Sequence, residues 1–92
     1  LMPIGAPESI WEKIVAKQGP VEIVVHNLGG TLASHNNLAN SEEWLRVWRL
    51  NVGIAIDLNR LIVPPMQQCG WGRIIHMVST AADDLSGAGP YS

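Results

Sequence analysis

The chain has 92 residues, 47% of them hydrophobic and only 15% charged, with a formal net charge of −2. That suits one small core-rich domain and excludes a disordered chain. The slight acidity, with no basic run, argues against nucleic acid or an anionic membrane as partner. No apolar run reaches the roughly 18 residues that a membrane span needs.

In chain order, the first predicted element is a helix over Pro7–Gln18. Pro7 suits a first helical position, Ile10, Trp11 and Ile14 share a face, and Gly19-Pro20 stops it. Val21-Glu22-Ile23-Val24-Val25-His26 is β-branched and almost wholly apolar, which predicts a strand buried on both faces of a parallel sheet. Asn27-Leu28-Gly29-Gly30 ends that strand, and residues 31–40 read as loop. A long helix is predicted from Ser41 to Val63, capped by Asn40 or Ser41 and ended or distorted by Pro64-Pro65. After a turn at Gly70-Trp71-Gly72, Arg73 to Val78 reads as a second buried strand, and from Ser79 on the composition is that of loop.

Strand, helix and strand at this spacing predict an α/β fold with a right-handed crossover between parallel strands. Both strand ends, Asn27-Leu28-Gly29 and Ser79-Thr80, then lie on the carboxyl edge, where open α/β sheets bind ligands. Two parallel strands leave both sheet edges unpaired. The chain is therefore expected to be part of a larger sheet or to meet another chain there.

On a helical wheel at ~100° per residue, Glu42, Arg46, Arg49, Gly53, Asp57 and Arg60 form one solvent stripe, with Glu42 and Arg46 spaced to pair. Asn51 falls opposite, among Trp44, Val47, Ala55, Leu58 and Ile62. A buried amide without partners costs about 1–3 kcal/mol, so Asn51 must be bonded to a loop or water inside, or act chemically. Asn59 lies nearer the stripe's margin and reads as structural. His26, His35, His76 and Cys69 match no compact metal-ligand spacing and read as structural, although His26 and His76 sit at adjacent strand ends. No serine has a Gly-x-Ser-x-Gly elbow. The four tryptophans read as core or interface anchors, with Trp44 and Trp48 placed for a subunit contact. The lone Cys69 excludes an internal disulfide and fits a reducing, cytoplasmic setting.

Four segments in this order resemble the short-chain dehydrogenase/reductase family. Val21 to Gly29 resembles that family's fourth strand with its Asn-Asn-Ala-Gly end. Arg49-Leu50-Asn51-Val52-Gly53 resembles the helical stretch carrying its catalytic asparagine. Gly72 to Ser79 resembles the fifth strand, which ends at the catalytic serine, and Tyr91 follows Ser79 at the spacing of the catalytic tyrosine. The resemblance implies a partial Rossmann-like, doubly wound sheet, a βαβ core with a long crossover helix, as one fragment of a single domain spanning residues 1–92. It implies NAD or NADP as cofactor and hydride transfer to or from a small carbonyl or alcohol substrate. Tyr91 would be the general acid/base, Ser79 would bind the substrate oxygen, and Asn51 would hold a water in a proton relay. Asn27 and Gly29 would flank the cofactor's adenosine side. Thr80, Ala81 and the stretch on to Leu85 would border substrate, and the long helix would pair with its counterpart in a homo-oligomer.

The sequence departs from the family pattern at three places. His26 and Leu28 stand where Asn and Ala are usual. No glycine-rich strand–turn–helix is present, and Gly87-Ala88-Gly89 does not supply one. The lysine expected four residues after Tyr91 falls past Ser92. The expectation is thus an oxidoreductase segment inactive by itself. The alternative is a non-catalytic module that associates through sheet edges and the long helix.

Overall fold

A computed structural model describes residues 1–83 and 89–92. Helix α1 spans Ala6–Gln18, with a proline in its first turn and Gly19 closing it at φ 75°. Strand β1 covers Ile23–His26, and β2 covers Arg73–His76. The two strands pair in parallel, with Val24 beside Ile74 and His26 beside His76. The fold is α/β, as expected, with both strand ends on one edge.

The connection between the strands is one continuous helical rod with a defect. Helix α2 runs over Ser41–Trp48, a π-helical turn over Arg49–Gly53, and helix α3 over Ile54–Cys69. Asn40 caps α2, its side chain accepting the Glu43 N–H at 2.9 Å. The π turn was not expected from the sequence. It has a local cause: the Asn51 side chain donates to the Val47 carbonyl at 2.8 Å, competing for the acceptor of an ordinary helical bond. Ile54 then donates to the Arg49 carbonyl, five residues back.

Two further expectations about this rod are corrected. The helix does not end at Val63 but runs through Pro64 and Pro65 to Cys69, where Gly70 at φ 71° terminates it. The prolines remove backbone donors, yet burial of Ile62 and Met66, one turn apart, holds the last turns down. The solvent stripe is also broken. Gly53 is buried, because the Trp48 ring lies where a side chain would go. Among the described residues the ion pair is Arg49–Asp57 at 2.6 Å rather than Glu42–Arg46. Arg49 also donates to the Met2 carbonyl at 2.8 Å, which ties the first residues to the rod. The extra residue of a π turn rotates everything after it, so a uniform wheel misplaces this part of the helix.

The strands are not buried on both faces. Residues alternate: Val24, His26 and Ile74 are half-buried, while Ile23, Val25 and Ile75 are 57%, 53% and 48% exposed. Helix α1 packs on α3. His26 bonds to a side chain of α3, so the half-buried set faces that helix and the exposed set faces away. The core, Val47, Ile54, Ile62 and Met66, lies along the rod.

Candidate active site

The site forms where β1 stops. Asn27-Leu28-Gly29-Gly30 leaves the sheet at its carboxyl edge and passes over the π turn. There Asn51 makes a two-way bond with Gly30: its Oδ1 accepts the Gly30 N–H at 2.9 Å, and its Nδ2 donates to the Gly30 carbonyl at 2.7 Å. With the bond to Val47, both amide hydrogens of Asn51 are used, and Oδ1 keeps one free lone pair. The sequence anomaly at Asn51 is therefore resolved by a loop contact. The contact requires glycine next door, since a Cβ on Gly29 would sit 2.8 Å from Asn51 Oδ1.

Tyr91 reaches the same place from the other end of the chain. Its 3₁₀ turn, Gly89–Tyr91, packs against α2. Gly89 is buried at φ 58°, and a Cβ there would meet the Ser34 and His35 backbone at 2.7 Å. This close approach seats Tyr91 beside the strand-end loop. A cavity of about 230 Å³ results, lined by Asn27, Leu28, Gly29, Gly30, Asn51, Met77, Val78 and Tyr91.

Of the residues singled out in the sequence, the fold gathers Asn27, Gly29, Asn51 and Tyr91 around one cavity. Ser79 is exposed and does not line it. Its Oγ accepts the Ala81 N–H at 3.1 Å, starting the 3₁₀ turn Thr80–Ala82 that holds Thr80 and Ala81. Asp84 and Leu85, expected to border substrate, and Gly87-Ala88 lie outside the described residues. Larger hollows at the opposite, amino-terminal edge, around Met66 and Trp71, contain none of these residues.

Among the described residues the cavity lining is uncharged. Asn27 is exposed, and its side chain has no partner among the described residues, so it offers amide donors and an acceptor. Among the described residues no lysine or arginine lines the wall. Such a donor set fits the uncharged nucleoside part of a dinucleotide and gives its phosphates no counter-charge.

The partner of His26 on the rod was not legible in the sequence. His26 Nε2 lies 2.7 Å from Asn59 Oδ1 on α3, and the His26 ring stacks on His76 with centroids 4.6 Å apart and planes 17° from parallel. For the bond to Asn59 the signal was that Asn59 sat off the solvent stripe, while the adjacent strand ends of His26 and His76 already pointed to the stack. Strand pairing explains the stack, since parallel neighbours project side by side.

Comparison with known proteins shows the family of the chain. The profile of the family described as short chain dehydrogenase matches residues 6–92. The chain is 34% identical over 67 residues to Nodulation protein G of Azospirillum brasilense, covering 73% of this chain and 27% of that protein. It is 33% identical over 61 residues to D-beta-hydroxybutyrate dehydrogenase of Rhizobium meliloti (strain 1021), covering 66% of this chain and 24% of that one. A solved 7α-hydroxysteroid dehydrogenase, in complex with NADH and 7-oxo glycochenodeoxycholic acid, superposes with a TM-score of 0.81 at 26% identity. It covers 90% of this chain, which matches 32% of it. KRED1-Pglu enzyme shares the fold, with a TM-score of 0.81 at 24% identity, over 98% of this chain and 38% of its own. The chain thus spans about a quarter of the length of the curated relatives it matches.

Proposed function

The chain belongs to the short-chain dehydrogenase family, and from that premise we propose that it carries the proton-transfer side of a hydride-transfer site. The observation that supports this best is the shared cavity of Asn51 and Tyr91 at the carboxyl edge of a parallel sheet. A nicotinamide cofactor, NAD or NADP, supplies or takes the hydride when bound. The chain's own residues handle the proton. Tyr91 gives a proton to the substrate oxygen during reduction and takes it back during oxidation, and Ser79 hydrogen-bonds the same oxygen. Asn51 orders a relay water, which must donate to its remaining Oδ1 lone pair because both amide hydrogens are engaged. Asn27 and Gly29 flank the adenosine side, and Thr80 and Ala81 border a small carbonyl or alcohol.

In this reading Ser79 has to turn from its bond with Ala81 toward the cavity when substrate binds. Apo active sites often hold looser contacts than their complexes, so its present orientation is compatible with the role. The neutral lining offers the dinucleotide phosphates no counter-charge, so a polypeptide of these 92 residues alone is expected to bind the nucleotide weakly.

A second reading rests on a separate observation. Leu45, Trp48, Val52 and Ile56 are 65%, 49%, 41% and 47% exposed along one side of the rod, beside exposed Trp44. A stripe of that kind fits a helix that pairs with another copy. In a non-catalytic module, that association would be its whole function.

Melting curves with millimolar NADH or NADPH separate the two readings. The first predicts that one of them raises the melting temperature of the full-length gene product, since a ligand stabilises by RT ln(1 + [L]/Kd). The second predicts no shift with either nucleotide and a melting temperature that rises with protein concentration.

A further inference from the structure

Among the described residues, side-chain hydrogen bonds tie the long helical rod to the end of β1 at two places, and Asn51 makes only one of them. The second is Asn59, eight positions further along the rod, bonded to His26 at 2.7 Å. The first grips Gly30, at the far end of the five-residue segment His26–Gly30. The spacings match. Eight helical residues advance roughly 12 Å, and four extended peptide steps cover roughly 13 Å. Asn51 holds the later residue of the segment and Asn59 the earlier one, because the rod runs back against the strand. The stack of His26 on His76 carries the second grip across to β2, next to Met77 and Val78 in the cavity wall.

We propose that Asn59 is a positioning residue. Through His26 it fixes the start of the strand-end segment, as Asn51 fixes its end, and so sets the height of Asn27 and Gly29 in the site. This rests on the functional reading above for its consequence, although not for its geometry. Neither residue needs to touch cofactor or substrate. His26 requires a partner of this kind: a ring nitrogen facing the helix among Leu50, Ile54 and Ala55 would otherwise be left without a bond. The strand end then depends on an amide two turns beyond the π turn, which no helical pattern announces.

The test uses the full-length gene product with Asn59→Leu, which removes the acceptor, and Asn59→Asp, which keeps one. NADH is the probe, and its dissociation constant is read by fluorescence without any turnover. Asn59→Leu is expected to weaken NADH binding about fivefold to tenfold, and Asn59→Asp to stay within about twofold of wild type. In parallel, ¹⁵N spectra of the imidazoles should show the hydrogen-bonded Nε2–H form of His26 in wild type and Asn59→Asp. Asn59→Leu should lose it, and the amides of residues 27–30 should exchange faster. If Asn59→Leu does not fold, His26→Leu serves for the same measurements except the imidazole signal. Equal NADH affinity in Asn59→Leu and wild type, with unchanged amide exchange, overturns the proposal. If wild type binds neither NADH nor NADPH, the functional reading falls, and the grip is judged by the imidazole and amide signals alone.

Discussion

The two layers of side chains on the same two strands have different surroundings. Toward the rod, Val24, His26 and Ile74 are half-buried and His26 is bonded to Asn59 of α3, while His76 on the same layer is exposed and stacked on His26. Away from it, Ile23, Val25 and Ile75 are about half exposed, and the one charged member of that layer is Arg73, beside Ile23 at the strand's start. A strand face that is apolar but for one arginine at its start, left in water, is a face built to be covered. The composition of β1 and β2 is that of strands buried on both sides, whereas the described residues cover one. The contrast separates what this segment stabilises by itself from what it offers to the remainder of a sheet or to another copy.

Substitutions can break this contrast. Ile62 is 2% exposed on the rod, so Ile62→Ala should cost about 2–5 kcal/mol in denaturant unfolding. A loss under about 1 kcal/mol would mean the rod is not the core. Gly29→Ala pushes a methyl to 2.8 Å from Asn51 Oδ1 and should disrupt the two-way bond to Gly30, costing about 1–3 kcal/mol. A crystal structure or amide exchange at Gly30 would show whether Asn51 has moved. An unchanged bond and unchanged stability would show that the loop yields more easily than its contacts suggest. Val25→Thr, on the open layer, should stay within about 0.5 kcal/mol in the 92-residue chain and cost more in the full-length product. Equal small effects in both would leave the open layer uncovered everywhere and remove the reason for its composition.

Much of this was readable from the residues. The runs Val21–His26 and Arg73–Val78 announce strands because β-branched apolar stretches bounded by glycine turns have few other uses, and the distance between them demands a crossover. Asn51 announced itself by falling opposite the polar stripe. What stayed hidden was set by side chains acting on the backbone. The π turn follows from one bond, Asn51 to the Val47 carbonyl, and no periodicity encodes it. The helix passed through Pro64-Pro65 because Ile62 and Met66 are anchored, which is a tertiary fact. The open sheet face was invisible because burial depends on what lies against a strand. Asn59 looked marginal on a wheel that the π turn had already rotated.

The central claim is that Tyr91 works in the cavity it shares with Asn51. Its most direct test is Tyr91→Phe in the full-length gene product. NADH or NADPH oxidation would be followed with a β-keto ester as the carbonyl probe, alongside 3-hydroxybutyrate in the reverse direction. Loss of the phenol oxygen removes the proton donor and leaves the ring in place, so turnover should fall about 10²–10⁴-fold while nucleotide affinity stays within about twofold. Turnover within about twofold of wild type, at unchanged affinity, would contradict the assignment.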